Sequence, residues 1–133
     1  MKKNKIFIAL ACIGIVLISL FIIVNKNLRE SKNKYHGAIM VGGLFATYEY
    51  IDRNIDIDYF YDLDADTTYK DLENEIGKPN GDRGSGLIFP YYQVGEQYVV
   101  IWFARDEDGM YTNISRMALY TQEEYVEDIP LKE

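Results

Sequence analysis

The chain has 133 residues, 48% of them hydrophobic and 26% charged, with a net charge of −7. A single cysteine and a single histidine leave no disulfide frame, no thiolate or histidine metal cluster and no conventional Ser-His-Asp or Cys-His set. Charge is split between two parts: residues 1–34 carry seven basic groups and Glu30, whereas residues 35–133 carry seven basic and twenty acidic groups, a net −13. So acidic a region is a poor partner for nucleic acid or an anionic membrane face.

Lys2, Lys3 and Lys5 precede IFIALACIGIVLISLFIIV, residues 6–24, nineteen positions without a charge. At 1.5 Å per residue this is a helix of roughly 28 Å, the thickness of a bilayer's hydrocarbon core. A cleaved leader would have a shorter apolar run ending in small residues, but here the run ends in Phe21, Ile22, Ile23 and Val24. Leu10-Ala11-Cys12 has the outline of a lipoprotein site, yet the apolar run continues beyond it. The expected organisation is a tail at 1–5, a transmembrane anchor at 6–24, a basic stem at 25–34 and an acidic domain at 35–133. Lys26, Arg29, Lys32 and Lys34 nearly balance the lysines before the span, so orientation rests on a short tail inside and a long domain outside the cell membrane. His36 reads as a solvated linker residue.

The ninety-nine residues after the stem suffice for one small domain. GAIMVGGLFATYEYI, residues 37–51, reads as a helix weakened at Gly42-Gly43 or a strand interrupted there, with helix favoured. NIDIDYFYDLDAD alternates at Ile55, Ile57 and Tyr59, which suggests an extended piece. DADTTYKDLENEIGKP then marks both ends of a helix. Thr68 is an N-cap with Asp71 three residues on; Tyr69, Leu72 and Ile76 share a face; Gly77 suits a left-handed cap, and Pro79 stops continuation. By that reasoning Gly77→Val should cost more than Gly81→Ala.

The ten residues GKPNGDRGSG, 77–86, invite a phosphate-loop reading. A phosphate loop places its glycines before a helix, whereas here the helix comes first. The stretch reads as a helix stop and turn, with Arg83 and the Gly84-Ser85-Gly86 amides as the alternative, a small anion nest. LIFPYYQV and YVVIWFA follow as strands joined by Gly95-Glu96, with glycine first as a type II′ turn requires; this pairs Tyr92 with Val99 and Phe89 with Trp102. Pro90 argues for an edge strand and the all-apolar second strand for a central one. Asp108-Gly109 signals another hairpin into a strand from Tyr111 to Leu119, setting Phe103 opposite Ile114 and suggesting a bulge near Ser115 and Arg116.

The capped helix closing in Ile76-Gly77-Lys78-Pro79, the glycine turn and the antiparallel meander resemble the small exported domains of the beta-lactamase-inhibitor-like and SmpA/OmlA type, over about residues 55–120. That resemblance implies an envelope protein that works by binding other proteins, although such proteins are usually secreted or lipid-anchored. No binding residue transfers.

Asp62, Asp64, Asp66 and Glu73 occupy positions 1, 3, 5 and 12 of a calcium-loop register, but Thr67 stands where glycine is needed and Lys70 at position 9. Asn113-Ile114-Ser115 matches a glycosylation acceptor, a common chance occurrence. The expected fold is α+β: one or two helices on a three- or four-stranded antiparallel meander, preceded by a single transmembrane helix. The expected function is a non-catalytic interaction module for an envelope protein, without a cofactor. A calcium or small-ligand sensor using residues 62–73 is the alternative, and an enzyme comes third because so small a domain offers little room for a cleft.

Overall fold

The computed structural model describes residues 2–133, with side chains at 3–26 and 37–133; the linker reading of the His36 side chain lies outside the described residues. The chain divides into two compact units at the Tyr35/His36 boundary. The first is one helix, α1, Lys2–Tyr35, which continues through the basic stem. Its segment Lys3–Lys26 is long and apolar enough to cross a membrane.

The second unit is α+β. Its elements are β1 (His36–Val41), β2 (Leu44–Glu49), α2 (Ile57–Tyr61), α3 (Tyr69–Ile76), β3 (Gly81–Arg83), β4 (Phe89–Val94), β5 (Gln97–Arg105), β6 (Tyr111–Tyr120) and β7 (Tyr125–Ile129). All seven strands form one antiparallel sheet in the order β1 to β7, so sequence neighbours are spatial neighbours throughout. That is more strands than the three or four expected.

The additional strands have identifiable causes. Gly42 and Gly43 both hold positive φ, 59° and 74°, as the two central residues of a tight hairpin, and Val41 faces Leu44 across it. The helix expected over residues 37–51 is therefore a hairpin, with the glycines as its turn. Residues 55–59 are corrected the other way. Asp56 caps a short helix by accepting from the Asp58 amide at 3.0 Å, which turns Phe60 into the core. Local capping overrides the two-residue alternation.

Helix α3 has the expected face, with Leu72 buried and Tyr69 and Ile76 packed beside it. Thr68 and Asp71 form a reciprocal capping box: the Asp71 amide donates to Thr68 Oγ1 at 3.1 Å and the Thr68 amide to Asp71 Oδ2 at 2.9 Å. Gly77 ends the helix at φ 83° and ψ −175°, an extended backbone in the glycine-favouring half of the map instead of the left-handed helical cap expected. Arg53 satisfies the helix end from a distance. Its Nη1 donates to the Ile76 and Lys78 carbonyls at 2.7 and 2.6 Å, its Nη2 donates to Asn80 Oδ1 at 2.8 Å, and the guanidinium lies 5.0 Å from the centre of the Tyr92 ring.

Pro90 does not mark an edge, because β4 lies between β3 and β5. The β4–β5 register starts at Tyr91↔Val100, one residue past the proline, so the missing N–H falls beyond that ladder. Tyr92 faces Val99 and Phe103 faces Ile114 as expected, and register shifts flank Phe103 on both sides; the β4–β5 ladder stops short of Phe89 and Trp102, whose rings nonetheless lie 5.2 Å apart. Gly81 is a tight position, not a tolerant one. A Cβ there would stand 2.0 Å from the Thr47 carbonyl oxygen of β2.

The sheet buries both faces. One carries Tyr92, Val99, Ile101, Phe103, Met117 and Leu119, covered by Phe60 of α2 and Leu72 of α3. The other carries Val41, Ala46, Tyr91, Tyr98, Val100, Ala118 and Tyr120, and is closed by the curl of the sheet itself. At the end of the curl the Gly42 amide donates to the Thr121 carbonyl at 2.8 Å and the Gly43 amide to the Gln122 carbonyl at 3.0 Å, which pins the β1–β2 turn against the β6–β7 turn.

Candidate interaction surface

Where the curl brings β2 beside the β3–β4 loop, large apolar side chains stay in solvent. Phe45 is 74% exposed, Leu87 75% and Leu44 50%, with Met40 and Ile88 also exposed. Leu44, Phe45, Leu87 and Phe89, together with Arg83, Gly84 and Ser85, line a groove of about 260 Å³. Scattered single apolar residues need no explanation on a protein surface, but a contiguous set does.

The groove is built and held. The Gly42-Gly43 turn sets Leu44 and Phe45 at the tip of the hairpin, while the Gly84 amide donates to the Phe45 carbonyl at 3.1 Å and holds the loop to β2. Gly84 itself has φ 114°, and a Cβ there would lie 2.3 Å from the Leu87 carbonyl oxygen. Arg83 anchors the floor: its Nε donates to the Val41 carbonyl at 2.7 Å, and its guanidinium lies 4.5 Å from the centre of the Tyr120 ring. The anion-nest alternative is thereby weakened at two of its parts, since the Arg83 Nε and the Gly84 amide are both engaged by the protein.

The acidic run is dispersed. Asp64 Oδ1 accepts from the Asp66 amide at 3.0 Å and from the Thr67 amide and hydroxyl at 3.0 and 3.1 Å, a turn closed on itself. Asp62 pairs with Lys132 at 3.1 Å. Glu73 lies on α3, where burial first and the Glu73 carboxylate second push the Tyr69 phenol up to about 12. Among the described residues no three of His, Cys, Asp and Glu are grouped to hold a metal ion.

Gly95 and Gly109 occupy turns at φ 60° and 77°, and Asp106 Oδ1 accepts from the Asp108 and Met110 amides at 3.0 and 2.9 Å, organising that hairpin tip. Asn113 Nδ2 donates to the Ala65 carbonyl at 3.2 Å. A wider, open depression of about 990 Å³ lies between the β4–β5 and β6–β7 turns; it is lined chiefly by polar groups, including Gln93, Glu96, Gln122, Glu123 and Glu124. Sequence reasoning missed the apolar surface. Its signal is Gly-Gly between Ile39-Met40-Val41 and Leu44-Phe45, a hairpin signature that reads equally as a weak point in a helix, the favoured reading, or an interruption in a strand. No family model matches the chain, and neither a curated protein nor a solved structure matches it.

Proposed function

We propose that the protein is a membrane-anchored, non-catalytic interaction module, whose acidic domain stands outside the cell membrane and binds another protein through the surface around Leu44, Phe45 and Leu87. The observation that carries this reading is the exposure of Phe45 and Leu87, at 74% and 75% the most exposed large apolar side chains of the domain, side by side on a braced hairpin and loop. Such a surface gains by being covered, at about 25 cal/mol per Å² of apolar area. The exported domains that residues 55–120 resemble also work by binding other proteins. The long apolar α1 supports anchoring in a membrane.

Photo-crosslinking tests the reading. A photoreactive residue at Phe45 or at Leu87, in the full chain in its own membrane, should give one shared adduct, and the same residue at Glu107, on the β5–β6 turn, should not. Identical adduct patterns from all three positions would remove this surface from consideration.

A further inference from the structure

The sheet ends in two unlike edges. β7 carries Glu127 and Asp128, follows Glu123 and Glu124, and is succeeded by Pro130. Asp128 is clasped by Arg116 at 2.7 Å, and the register of β7 with β6 is broken between Leu119 and Tyr120. Charge, proline and an irregular ladder are the means by which proteins keep an edge from pairing. β1, HGAIMV, has none of them: no Asp, Glu, Lys or Arg, no proline, and an unbroken register with β2 over six pairs.

The parity of its hydrogen bonds follows from the hairpin. With a two-residue turn, Val41, Ile39 and Gly37 direct their backbone groups to β2, so Ala38 and Met40 direct theirs away from the sheet. β1 is terminal in the strand order, and among the described residues no strand stands beside those groups. The side chains of Ala38 and Met40 are exposed, and Met40 faces exposed Phe45 across the pair. An outward backbone ladder and an apolar side-chain surface therefore coincide.

Charge chooses the occupant. β1 itself is uncharged among Asp, Glu, Lys and Arg; the basic stem precedes it in sequence, but the domain to which it belongs carries −13, and at its turn end exposed Glu123 and Glu124 belong to the turn that grips Gly42 and Gly43. A second copy of this domain would meet like charge, whereas a lysine- or arginine-bearing segment meets opposite charge. We propose that β1 accepts an extended segment of a partner protein as an eighth strand, hydrogen-bonded to Ala38 and Met40, with apolar residues on the Met40–Phe45 side alternating with lysine or arginine. The proposal rests on the interaction reading above and specifies its mode.

The test uses the full chain in zwitterionic nanodiscs and a blocked hexapeptide of alternating valine and lysine. Saturable one-to-one binding is expected, with the amide protons of Ala38 and Met40 becoming protected from exchange. Ala38→Pro removes an outward N–H and no β1–β2 bond, so it should weaken binding at least tenfold while leaving other amide signals in place. Should that variant not fold, the same peptide N-methylated at alternate residues makes the comparison on the unaltered protein and should also bind at least tenfold more weakly. A valine–glutamate peptide should bind at least tenfold more weakly as well. Equal affinity for the methylated or glutamate peptide, no saturable binding, or pairing of β1 with a second copy would overturn the proposal. If Phe45→Ser abolishes binding while Ala38→Pro does not, strand addition fails and the interaction surface stands; if neither variant alters binding, both fail.

Discussion

The two faces of the sheet are closed by different means. On one, α2 and α3 lay Phe60 and Leu72 over Tyr92, Val99, Ile101 and Met117, so separate elements supply the cover. On the other the sheet covers itself, and the residues that meet are smaller or carry hydroxyls: Ala46, Ala118, Tyr91, Tyr98 and Tyr120. Closing a sheet on itself brings backbone near backbone. Glycine is consequently needed at Gly42, where a Cβ would lie 2.3 Å from the Tyr120 ring, and at Gly81, where it would meet Thr47. The helix-covered face should therefore be sensitive to lost volume and the self-closed face to added volume.

The largest effect should come from Leu72→Ala. Leu72 is fully buried and ties an eight-residue helix to the sheet, so its truncation should cost about 3 kcal/mol in urea unfolding. Gly81→Ala adds one methyl on the other face and should cost about 2 kcal/mol, because the atom it meets is backbone and not the end of a flexible side chain. Unchanged stability of Gly81→Ala would break the comparison outright. Tyr91→Phe comes next at about 1 kcal/mol: it keeps the ring against Tyr98 but leaves the Thr47 carbonyl without the phenol that donates to it.

Two carboxylates sharpen the contrast through pH. Hydrogen bonds from the Thr68 amide and then its hydroxyl hold Asp71 below the usual carboxylate range. Its contribution is present above the ordinary carboxylate value and lost as pH falls through the lowered folded value. Asp82, on β3, is pushed up by burial. Its contribution runs the other way, present below the ordinary value and lost as pH rises through the raised one. Melting curves between about pH 3 and 7 should show Asp71→Asn less stable than the parent only at the upper end, and Asp82→Asn more stable only there. The smallest expected effect is that of calcium. With Asp62 on Lys132 and Asp64 closing its own turn, millimolar calcium should raise the melting temperature no more than magnesium at equal ionic strength. A calcium-specific, saturable shift lost in Asp64→Asn would restore the sensor reading.

What could be read from the sequence was local. The capping box of α3, the Gly95-Glu96 turn with Tyr92↔Val99, and the central position of β5 all follow from residues within a few positions of each other. Long-range partners were not legible. The three residues of β3 carry no strand pattern, so Pro90 reads as an edge residue although Gly81–Arg83 pair along that side of β4. Arg53 is a loop residue in sequence and becomes the cap of a helix only through the path of the chain. The apolar pairs Leu44-Phe45 and Leu87-Ile88 were visible as hydrophobic, but their exposure depends on which strands the curl brings together.

Because every strand lies beside its sequence neighbours, each pairing except β2–β3, whose connection carries both helices, closes a short loop, and the domain can assemble progressively along the chain. The grip of Gly42 and Gly43 on Thr121 and Gln122 is different: it joins opposite ends of the domain and can form only when the whole ribbon exists. It is a clasp on a ribbon whose ladders do not depend on it. Released, it would free the tip of the β1–β2 hairpin while its pairing with β3 stays intact, a partial opening cheaper than unfolding and visible as faster amide exchange at Gly42 and Gly43 than at Val99 or Val100.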